Sequence, residues 1–321
     1  MASSTLPALR RALLYVPASS PRFLAKSLTL TSDNVTYDLE DSVTASMKPA
    51  ARTALQEHLT SLSSRKETTM SEIAVRINAV STPDALADIA AVAALPALDT
   101  LVIPKVNSAA DLLLVEDAIR QAAPDRASSS SSRPIKLLAL IESARAIMDL
   151  RAICAATPNL RGLIFAAEDF ALDLSLRRSP RMREMLYARS AIVTAARAYR
   201  LESVIDAVCT RLSDPRQPQR QLDECRNGSG MGFNGKQCIH PAQVPIVQHL
   251  FSPDKTKIKQ ATRIVVADEK ASAAGRGAWS LDGRMIDAPV VGKARAILAR
   301  AKQCGIDVDA VREKFKDQNF E

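Results

Sequence analysis

The stretches LLALIES (137–143) and LIFAAED (163–169) decide the fold that this sequence predicts. Each is an apolar run with the length of a buried strand, and each ends in a carboxylate. A buried strand has no packing use for a carboxylate at its tip, whereas a metal site does. Two strands of one sheet can direct Glu142 and Asp169 to a shared hard cation such as Mg²⁺. The two runs therefore predict a metal-dependent enzyme that acts on a small anionic substrate.

Short apolar runs alternate with Ala-rich helical patterns along the whole chain. Helical periodicity is clearest over residues 83–94, 109–122, 143–155 and 182–200. The predicted strands are 13–16, 35–38, 73–77, 101–104, 137–141, 163–166, 204–208 and 236–239. Eight βα units in 321 residues favour a TIM (β/α)8 barrel over an open doubly wound sheet, and no GxGxxG motif follows the first strand.

The domain organisation follows from this pattern. We expect a short N-terminal tail over residues 1–10, the barrel over 11–252 and a C-terminal helical extension over 253–321. The extension is too small for an independent domain, so it is expected to pack on the barrel or on a neighbouring subunit. The serine-rich segment 127–133 is expected to be a flexible surface insertion, and residues 212–234 are expected to be irregular.

The bulk composition limits the classes of binding partner that are expected. The net charge is +8, but the basic residues are scattered and no Lys/Arg run is interleaved with aromatic residues, so nucleic acid is not expected as a partner. A small ligand with several phosphates, or an ordinary solvated surface, explains the charge. The five cysteines form no CxxC pair, which is typical of a reducing compartment.

The location follows from two further features. Because no run of about 18 apolar residues occurs, no membrane span is expected. The segment 1–11 is basic and free of acids but short, so we expect a cytoplasmic location, with the mitochondrion as the alternative.

Polar side chains concentrate where the predicted strands end. In a TIM barrel these carboxyl ends carry the chemistry. The residues concerned are Tyr15-Val16-Pro17, Asp38-Leu39-Glu40-Asp41-Ser42, Arg76-Ile77-Asn78, Pro104-Lys105, Glu142, Glu168-Asp169 and His240-Pro241. A purely structural barrel does not need such a concentration, and the pattern therefore predicts a site at this rim.

Each of these residues also has a structural interpretation. One of Asp38, Glu40 and Asp41 is expected to cap the following helix, and at least one is expected to belong to the site. Arg76 lies in an alternating strand and would point into the barrel mouth, where a substrate carboxylate fits its bidentate fork. The alternatives are a solvated Arg76 and a Lys105 that simply pairs with a neighbouring carboxylate.

The predicted metal ligands are Glu142 and Asp169. Mg²⁺ typically takes one or two protein carboxylates and leaves its other positions to substrate and water. Glu168 is the rival of Asp169, because adjacent residues at a strand end diverge and only one should face the metal.

At this point the sequence resembles a known family. The matching segments are RRALLYVP (10–17), DLEDSV (38–43), VRIN (75–78), IPK (103–105), IES (141–143), AED (167–169), GKQCIHP (235–241) and DGRMIDAP (282–289). Together, and in this order, they resemble the citrate lyase beta-subunit-like branch of the HpcH/HpaI aldolase superfamily. The resemblance implies a Mg²⁺-dependent TIM barrel that makes or breaks a carbon–carbon bond next to a thioester.

The resemblance also implies residue roles. Glu142 and Asp169 would hold Mg²⁺, and Arg76 would bind the carboxylate of a 2-oxo or 2-hydroxy acid. Asp287 would be the catalytic acid/base, delivered by the C-terminal segment to a neighbouring active site in a trimer or hexamer. The oxo-acid pocket would include Glu40, Asp41, Ala166 and Ala167. Coenzyme A would lie along the barrel mouth, near Tyr15, Pro17, Arg22, Lys26, His240 and Pro241.

The sequence departs from the family pattern at Ala166. The family usually has glycine here, where a backbone N–H meets the substrate carboxylate, so one methyl group is expected to shrink the pocket or shift substrate preference. No histidine follows the second strand, which favours the acyl-CoA branch over aldolases that use free oxo-acids.

The expected activity is cleavage or formation of a short 3-hydroxyacyl-CoA. Malyl-CoA or citramalyl-CoA would give acetyl-CoA or propionyl-CoA plus glyoxylate or pyruvate. The alternatives are a metal- and CoA-binding subunit or regulator without turnover, and a class II aldolase acting on free oxo-acids.

Overall fold

The computed structural model of this chain describes residues 8–63, 72–127, 131, 133–210 and 217–321. Most of the predicted serine-rich insertion and of the segment 211–216 lies outside the described residues. Residues 10–248 form one compact unit, and residues 249–321 belong to a second. No helix of the described chain is long and apolar enough to cross a membrane.

The first unit is built on a closed parallel barrel, and the predicted TIM barrel is confirmed. Among the described residues, its strands pair in chain order and the last pairs with the first. They are β1 (Ala12–Pro17), β2 (Asn34–Asp38), β3 (Ile73–Arg76), β4 (Thr100–Ile103), β5 (Lys136–Ile141), β6 (Leu160–Phe165), β7 (Ser203–Asp206) and β8 (Gly235–Cys238).

The helices that alternate with these strands complete the βα pattern. They are α1 (Pro21–Ser27), α2 (Lys48–Ser63), α3 (Asp84–Val92), α4 (Ala109–Ala122), α5 (Pro124–Ala127), α6 (Ala144–Met148), α7 (Leu150–Ala155), α8 (Ala167–Asp173), α9 (Leu186–Ala198), α10 (Gln217–Met231) and α11 (Val244–Leu250). The one helix predicted over 143–155 is thus two, α6 and α7, which meet at Asp149.

The barrel interior is filled by aliphatic side chains of alternate strand positions. Leu13, Ala74, Val102, Leu138, Leu140, Ile164 and Ile205 form one buried cluster, with Tyr15 and Ala166 packed against it. Small and branched side chains fill the taper of an eight-stranded barrel. The low aromatic content of the chain, 4%, is therefore compatible with a filled core.

Two glycines permit close approaches that a side chain would prevent. A Cβ at Gly235 would lie 2.0 Å from the carbonyl oxygen of Arg10, where β8 closes against β1. A Cβ at Gly228 would lie 2.4 Å from Oδ2 of Asp206, because α10 packs directly on β7. The expectation that residues 212–234 are irregular was wrong for Gln217–Met231, which form α10, and residues 212–216 lie outside the described residues. Gly228 serves helix packing rather than a loop.

A buried ion pair closes the amino end of the barrel. Arg10, which the sequence pattern placed in the N-terminal tail, is buried and donates to Glu72 through Nε (2.6 Å) and Nη2 (2.7 Å). Asn34 and Thr100 also donate to the Glu72 carboxylate, each at 2.7 Å. Ser203 accepts a hydrogen bond from Arg10 Nη1 at 2.9 Å. The network therefore joins the starts of β1, β2, β3, β4 and β7.

The second unit holds three helices and a hairpin, taken over its described residues. They are α12 (Lys255–Ala273), β9 (Trp279–Leu281), β10 (Arg284–Ile286), α13 (Ala288–Gln303) and α14 (Val308–Glu313). Trp279 and Ile286 of the hairpin pack against Ala261, Ile264 and Val291 of the helices. The hairpin interrupts the helical extension that the sequence pattern predicts over 253–321. That this unit completes a neighbouring active site stays a prediction.

The Glu72 network predicts a change of stability with pH. Burial alone would raise the pKa of Glu72, but the charge and hydrogen bonds of Arg10, with Thr100 and Asn34, lower it from its ordinary 4.5 to about 2. The folded state therefore binds this proton more weakly than the unfolded state. The stabilisation, on the order of 3 kcal/mol, is present above about pH 4.5 and is lost as the pH falls towards about 2.

Glu72→Gln should accordingly lower the free energy of unfolding at pH 7 by roughly 3–5 kcal/mol, because Arg10 is left buried without its partner. The difference from wild type should narrow as the pH falls below 4.5. Urea unfolding between pH 3 and 7 measures both effects, with exposed Glu57→Gln as the control. A difference that stays constant with pH would contradict this account of the network.

Candidate active site

A cavity of about 410 Å³ opens at the carboxyl ends of the barrel strands. It is bounded by residues of several strand tips and by the start of α8. The lining residues are Tyr15, Pro17, Asp38, Asp41, Ser42, Arg76, Leu140, Ala166, Ala167, Glu168, Asp169, Val208, Thr210, Gln237 and Ile239. The residues predicted to surround an oxo-acid therefore come together here, except Glu40, which lies just behind the lining as an ion-pair partner of Arg76.

A second cavity, of about 300 Å³, lies between α1 and the turn after β8. All six residues predicted to contact coenzyme A line it: Tyr15, Pro17, Arg22, Lys26, His240 and Pro241. Arg22 and Lys26 are one turn apart on the exposed face of α1, and neither pairs with an acid in the described part of the chain. Two free cations beside an apolar wall are suited to a phosphorylated ligand.

His240 has a structural task in this second cavity. Its Nδ1 accepts a hydrogen bond of 3.2 Å from the backbone N–H of Ala242, and the residue caps the short 3-10 turn Pro241–Gln243. An accepting Nδ1 carries no proton, so this geometry favours the neutral ring protonated at Nε2. Nε2 is then the nitrogen available to donate to a ligand.

Arg76 is held by an acid of the protein itself. Its Nε and Nη2 donate to the two carboxylate oxygens of Asp38, each at 2.7 Å, and its guanidinium carbon stacks 4.6 Å from the centroid of the Tyr15 ring. The sequence analysis gave this fork to a substrate carboxylate. Asp38 takes it instead because β2 and β3 are adjacent and place Asp38 opposite Arg76 in register.

Only Nη1 of Arg76 is directed to other groups at the rim. It lies 3.0 Å from Oε2 of Glu40 and 3.0 Å from Oδ2 of Asp41. The Asp41 side chain is 56% exposed, so it is the partner that an incoming anion can most easily replace.

Asp38 also shapes the loop after β2. Its oxygens accept the backbone N–H groups of Glu40 (2.9 Å) and Ser42 (3.1 Å). Burial would raise the pKa of Asp38, but the charge and hydrogen bonds of Arg76 hold that pKa below its usual range. Asp38 therefore stabilises the turn after β2 and fixes the orientation of Arg76. The expected helix cap is not found among the three acids, since the next helical turn, Ala45–Met47, has Thr44 as its N-cap.

Lys105 connects two acids at the tip of β4. Its ammonium pairs with Glu40, as the sequence analysis allowed, and its backbone N–H donates to Glu142. Lys105 has φ of 53°, in the left-handed region that a residue with a side chain adopts at a cost of about 1 kcal/mol or more. That conformation lets the side chain and the N–H of one residue serve two different carboxylates.

Glu142 and Asp169 form an acid pair, and among the described residues neither makes an ion pair with a cationic side chain, although the Lys105 charge lies near Glu142. Glu142 is only 5% exposed, and Lys105 N–H is the one donor to its carboxylate among the described residues. The carboxylate of Asp169, in the first turn of α8, has no hydrogen bond or ion pair within the described chain. Burial raises the pKa of Glu142 to about 8, and the nearby charge of Asp169 acts in the same direction.

These observations test whether the pair fits a metal. A buried carboxylate beside a second one is unfavourable unless a cation neutralises both. No group of three or more His, Cys, Asp or Glu that could hold a metal occurs among the residues that the structure describes. Two carboxylates and no soft ligand fit Mg²⁺, which keeps its other positions for water and substrate, and do not fit a structural zinc.

The neighbours Glu168 and Asp169 differ in their surroundings. Glu168 is exposed, and its carboxylate pairs with Arg178. Asp169 is the one whose charge acts on Glu142. These surroundings are compatible with Asp169 as the ligand, and that assignment stays a prediction.

Ala166 marks the entry to α8. Its backbone is extended, with φ of −102° and ψ of 97°, so nothing in its conformation requires glycine. Its methyl group lines the larger cavity, and Ala167 is buried behind it as the first residue of the helix. The departure from the family's glycine is thus free of backbone strain and acts only through the space that the methyl group occupies.

Asp287 lies in the C-terminal unit. It precedes α13, and its side chain accepts the N–H of Val290 at 3.2 Å, which makes it the N-cap of that helix. It is half-buried in this setting. Its role as an acid/base for a barrel stays a prediction.

Two contributors to the rim, Gln237 and Arg178, were not foreseen, and neither was the pairing of Asp38 with Arg76. Asp38 was treated as one of three possible caps, Gln237 was given no role although it accepts from Tyr15 Oη (2.9 Å), and Arg178 was not considered. Only the alternation of β8, which points Gln237 inward beside Tyr15, offered a signal. Arg178 follows α8 in an irregular segment, where no periodicity indicates a direction.

A closed parallel barrel with paired acids and fixed cations at its carboxyl rim defines a TIM-barrel enzyme. The family model of HpcH/HpaI aldolase/citrate lyase matches residues 11–241. The chain belongs to this family, and the predicted family and enzyme class, a carbon–carbon lyase, are confirmed.

Relatives and solved structures agree with this assignment. Citrate lyase subunit beta of Haemophilus influenzae is 35% identical over 92% of this chain and 97% of its own. The mitochondrial citramalyl-CoA lyase of Homo sapiens is 32% identical over 89% of this chain and 84% of its own. The crystal structure of CitE from Mycobacterium tuberculosis, in complex with magnesium, acetoacetate and coenzyme A, has a TM-score of 0.72 at 30% identity and covers 92% of this chain and 100% of its own.

The acid pair predicts that one substitution raises the stability of the metal-free protein and removes its response to Mg²⁺. Glu142→Gln replaces a buried carboxyl group, whose ionised form burial disfavours, by a neutral amide that keeps an oxygen for the Lys105 N–H. In EDTA the variant should unfold with a free energy roughly 1–3 kcal/mol above that of wild type. Excess Mg²⁺ should then stabilise wild type but not the variant. Chemical denaturation with and without Mg²⁺ measures both.

Glu168→Gln is the matched control, because Glu168 is exposed and already paired with Arg178. It should not gain stability in EDTA and should keep its response to Mg²⁺. A Glu142→Gln variant that is less stable than wild type in EDTA would show that the acid pair is not strained.

Proposed function

We propose that this protein is a Mg²⁺-dependent lyase that cleaves or forms the carbon–carbon bond of a short 3-hydroxyacyl-CoA, such as malyl-CoA or citramalyl-CoA. The products of cleavage are acetyl-CoA or propionyl-CoA and glyoxylate or pyruvate. The observation that carries the proposal is the acid pair Glu142–Asp169, in no ion pair with a cationic side chain of the described residues, at the rim that also holds Arg76.

The two cavities support a substrate with two parts. They share Tyr15, Pro17 and Ile239 in their linings, so one elongated ligand reaches both. The acyl part of an acyl-CoA fits the larger cavity. The phosphorylated part of the same molecule fits beside Arg22 and Lys26. The solved relative with magnesium, acetoacetate and coenzyme A bound together supports the same division.

Glu142 and Asp169 hold the metal in this proposal. When bound, Mg²⁺ supplies the positive charge that polarises the oxygen destined to become the aldehyde or ketone carbonyl. The protein prepares the position, since Lys105 N–H orients Glu142 and the first turn of α8 carries Asp169.

Arg76 binds the carboxylate of the oxo-acid fragment through Nη1. Asp38 fixes the guanidinium plane, so this N–H keeps one direction, and the substrate carboxylate replaces Asp41 as its partner. Ala166 and Ala167, at the start of α8, form another part of the cavity wall. Glu40 pairs with the Lys105 ammonium and holds that side chain in place. Binding energy at this end positions the bond that breaks.

Asp287 is the proposed proton donor. Cleavage breaks the carbon–carbon bond as the 3-hydroxyl group becomes the carbonyl and loses its proton to solvent. The thioester enolate that remains takes one proton at carbon to give the acetyl or propionyl thioester. We propose that Asp287 gives this proton within a neighbouring subunit of a trimer or hexamer, and takes it back in the condensation direction. The cytoplasmic location, with the mitochondrion as the alternative, also stays a prediction.

The assay that tests the proposal uses purified protein with Mg²⁺ against malyl-CoA and citramalyl-CoA and detects released glyoxylate or pyruvate. Asp169→Asn and Asp287→Asn should each lower kcat by at least about 100-fold, since one removes a metal ligand and the other the proton donor. Asp117→Asn, an exposed change on α4, should leave kcat unchanged.

Mixed oligomers separate the two roles. If Asp287 serves a neighbouring barrel, unfolding and refolding Asp169→Asn together with Asp287→Asn should restore part of the activity that neither has alone. No turnover of either thioester by wild type, while coenzyme A esters still bind, would contradict the lyase and favour a binding subunit without turnover. Turnover of free oxo-acids that is indifferent to coenzyme A would favour the aldolase.

The Ala166 methyl group predicts a preference among oxo-acids. Ala166→Gly enlarges the cavity by one methyl group without backbone strain. Pyruvate is larger than glyoxylate by one methyl group, so the ratio of kcat/KM for citramalyl-CoA to that for malyl-CoA should rise about 10-fold. Ala156→Gly, a position remote from the cavity, should leave the ratio unchanged. An unchanged ratio in Ala166→Gly would exclude the methyl group as a determinant of specificity.

A further inference from the structure

The first turn of α8 presents two adjacent carboxylates, and only one of them serves the acid pair. Glu168 and Asp169 both line the larger cavity. The Glu168 side chain is longer and 53% exposed, so exposure and reach alone would let it swing towards a cation bound at Glu142 and Asp169. A contact that holds Glu168 aside would therefore add to the divergence of the two adjacent positions.

Arg178 makes the contacts that do this. Its Nη1 donates to Oε1 of Glu168, and its Nη2 donates to the carbonyl oxygen of Val208 at 2.9 Å and lies 3.3 Å from Oε2 of Glu224. The Arg178 side chain is only 15% exposed. One guanidinium thus joins the start of α8, the segment after β7 and helix α10.

The far end of this contact chain is buried. Oε2 of Glu224 lies 3.1 Å from Nζ of Lys236, which is fully buried on β8. The charges alternate along Glu168, Arg178, Glu224 and Lys236, from the rim into the layer between strands and helices. The contacts with Val208 and Glu224 therefore hold the Arg178 guanidinium in place. It cannot follow the Glu168 carboxylate if that group turns towards the cavity.

We propose that Arg178 is a positioning residue that holds the Glu168 carboxylate away from the Glu142–Asp169 pair, so that the metal keeps open positions for substrate. The inference rests on the proposed function, since it presumes a metal at that pair. A lysine cannot replace Arg178, because three contacts in different directions need the planar guanidinium.

Release of Glu168 from Arg178 should change both the affinity for metal and the use of substrate. A third carboxylate that joins the cation raises its affinity, because affinity for a hard cation grows with the number of charged ligands. The same carboxylate occupies a position needed by the oxo-acid. Loss of Arg178 should therefore tighten metal binding while it weakens substrate use, a combination that simple misfolding does not give.

The test compares Arg178→Met, Glu168→Gln and the double variant with wild type, using Mn²⁺ as the probe. The free Mn²⁺ signal in electron paramagnetic resonance gives Kd, and water proton relaxation gives the number of waters on bound Mn²⁺. Arg178→Met should bind Mn²⁺ at least about fivefold more tightly, with one water fewer, and should lose about 10- to 100-fold in kcat/KM for malyl-CoA.

The double variant makes the test specific. With Glu168 made neutral, Arg178 has nothing to restrain, so Arg178→Met/Glu168→Gln should return the Mn²⁺ affinity, the water count and kcat/KM to within about twofold of Glu168→Gln. Glu168→Gln by itself should stay within about twofold of wild type. Arg177→Met is the control for the lost charge, since Arg177 is exposed and adjacent.

The outcomes separate the two proposals. Wild type that binds no Mn²⁺ overturns the metal site and with it the proposed function. Wild type that binds Mn²⁺, with Arg178→Met equal to Arg177→Met in affinity and water count, overturns only the role of Arg178. Weaker Mn²⁺ binding by Arg178→Met that the double variant does not restore also overturns it, and assigns Arg178 to the support of the Val208 segment.

Discussion

The distribution of charge at the carboxyl rim is the constraint on which the candidate site depends. Arg76 is taken by Asp38, Lys105 by Glu40 and Arg178 by Glu168, so each cation near the cavity is already committed to an acid. Glu142 and Asp169 are left beside each other, with Glu142 buried and neither in an ion pair with a cationic side chain of the described residues. In a medium of low dielectric this arrangement is unfavourable, and a bound cation relieves it. The affinity for metal thus arises as much from where the protein's own cations are held as from the two ligands.

The buried glutamates at the two ends of the barrel have opposite pKa shifts. At the amino end Glu72 has Arg10, Asn34 and Thr100 as partners, its pKa falls to about 2, and the network stabilises the closed sheet. At the carboxyl end Glu142 has one N–H donor, and its pKa rises to about 8. The same residue type therefore supports the fold at one end and reduces stability at the other. A perturbed carboxylate beside a cavity is typical of functional sites, whereas a fully satisfied one is structural.

Much of the fold and part of the site could be predicted from local pattern. Alternating apolar runs and helical stretches were sufficient for the barrel, and carboxylates at strand tips were sufficient for a rim site, because parallel strands gather their carboxyl ends at one edge. The failures have physical causes. Gly228 looked like a loop residue but lets α10 approach Asp206, and the fork of Arg76 was given to substrate because its partner lies 38 residues away on β2. The residues of each contact lie too far apart along the chain for a local sequence pattern to reveal the contact.

What the sequence by itself determined is the set of elements and the chemical character of their tips, since both depend on residues near each other in the chain. The carboxylates at two strand tips gave the expectation of a metal, and the resemblance of segments such as IES and AED to the family added the expectation of a thioester. Only the tertiary structure decided which acid meets which cation. Barrel closure and strand register bring Asp38 to Arg76, Glu40 to Lys105 and Glu224 to Arg178. Electrostatic pairing depends on distance in space and not in sequence, and for this reason the contact between Glu168 and Arg178 became visible only in the fold.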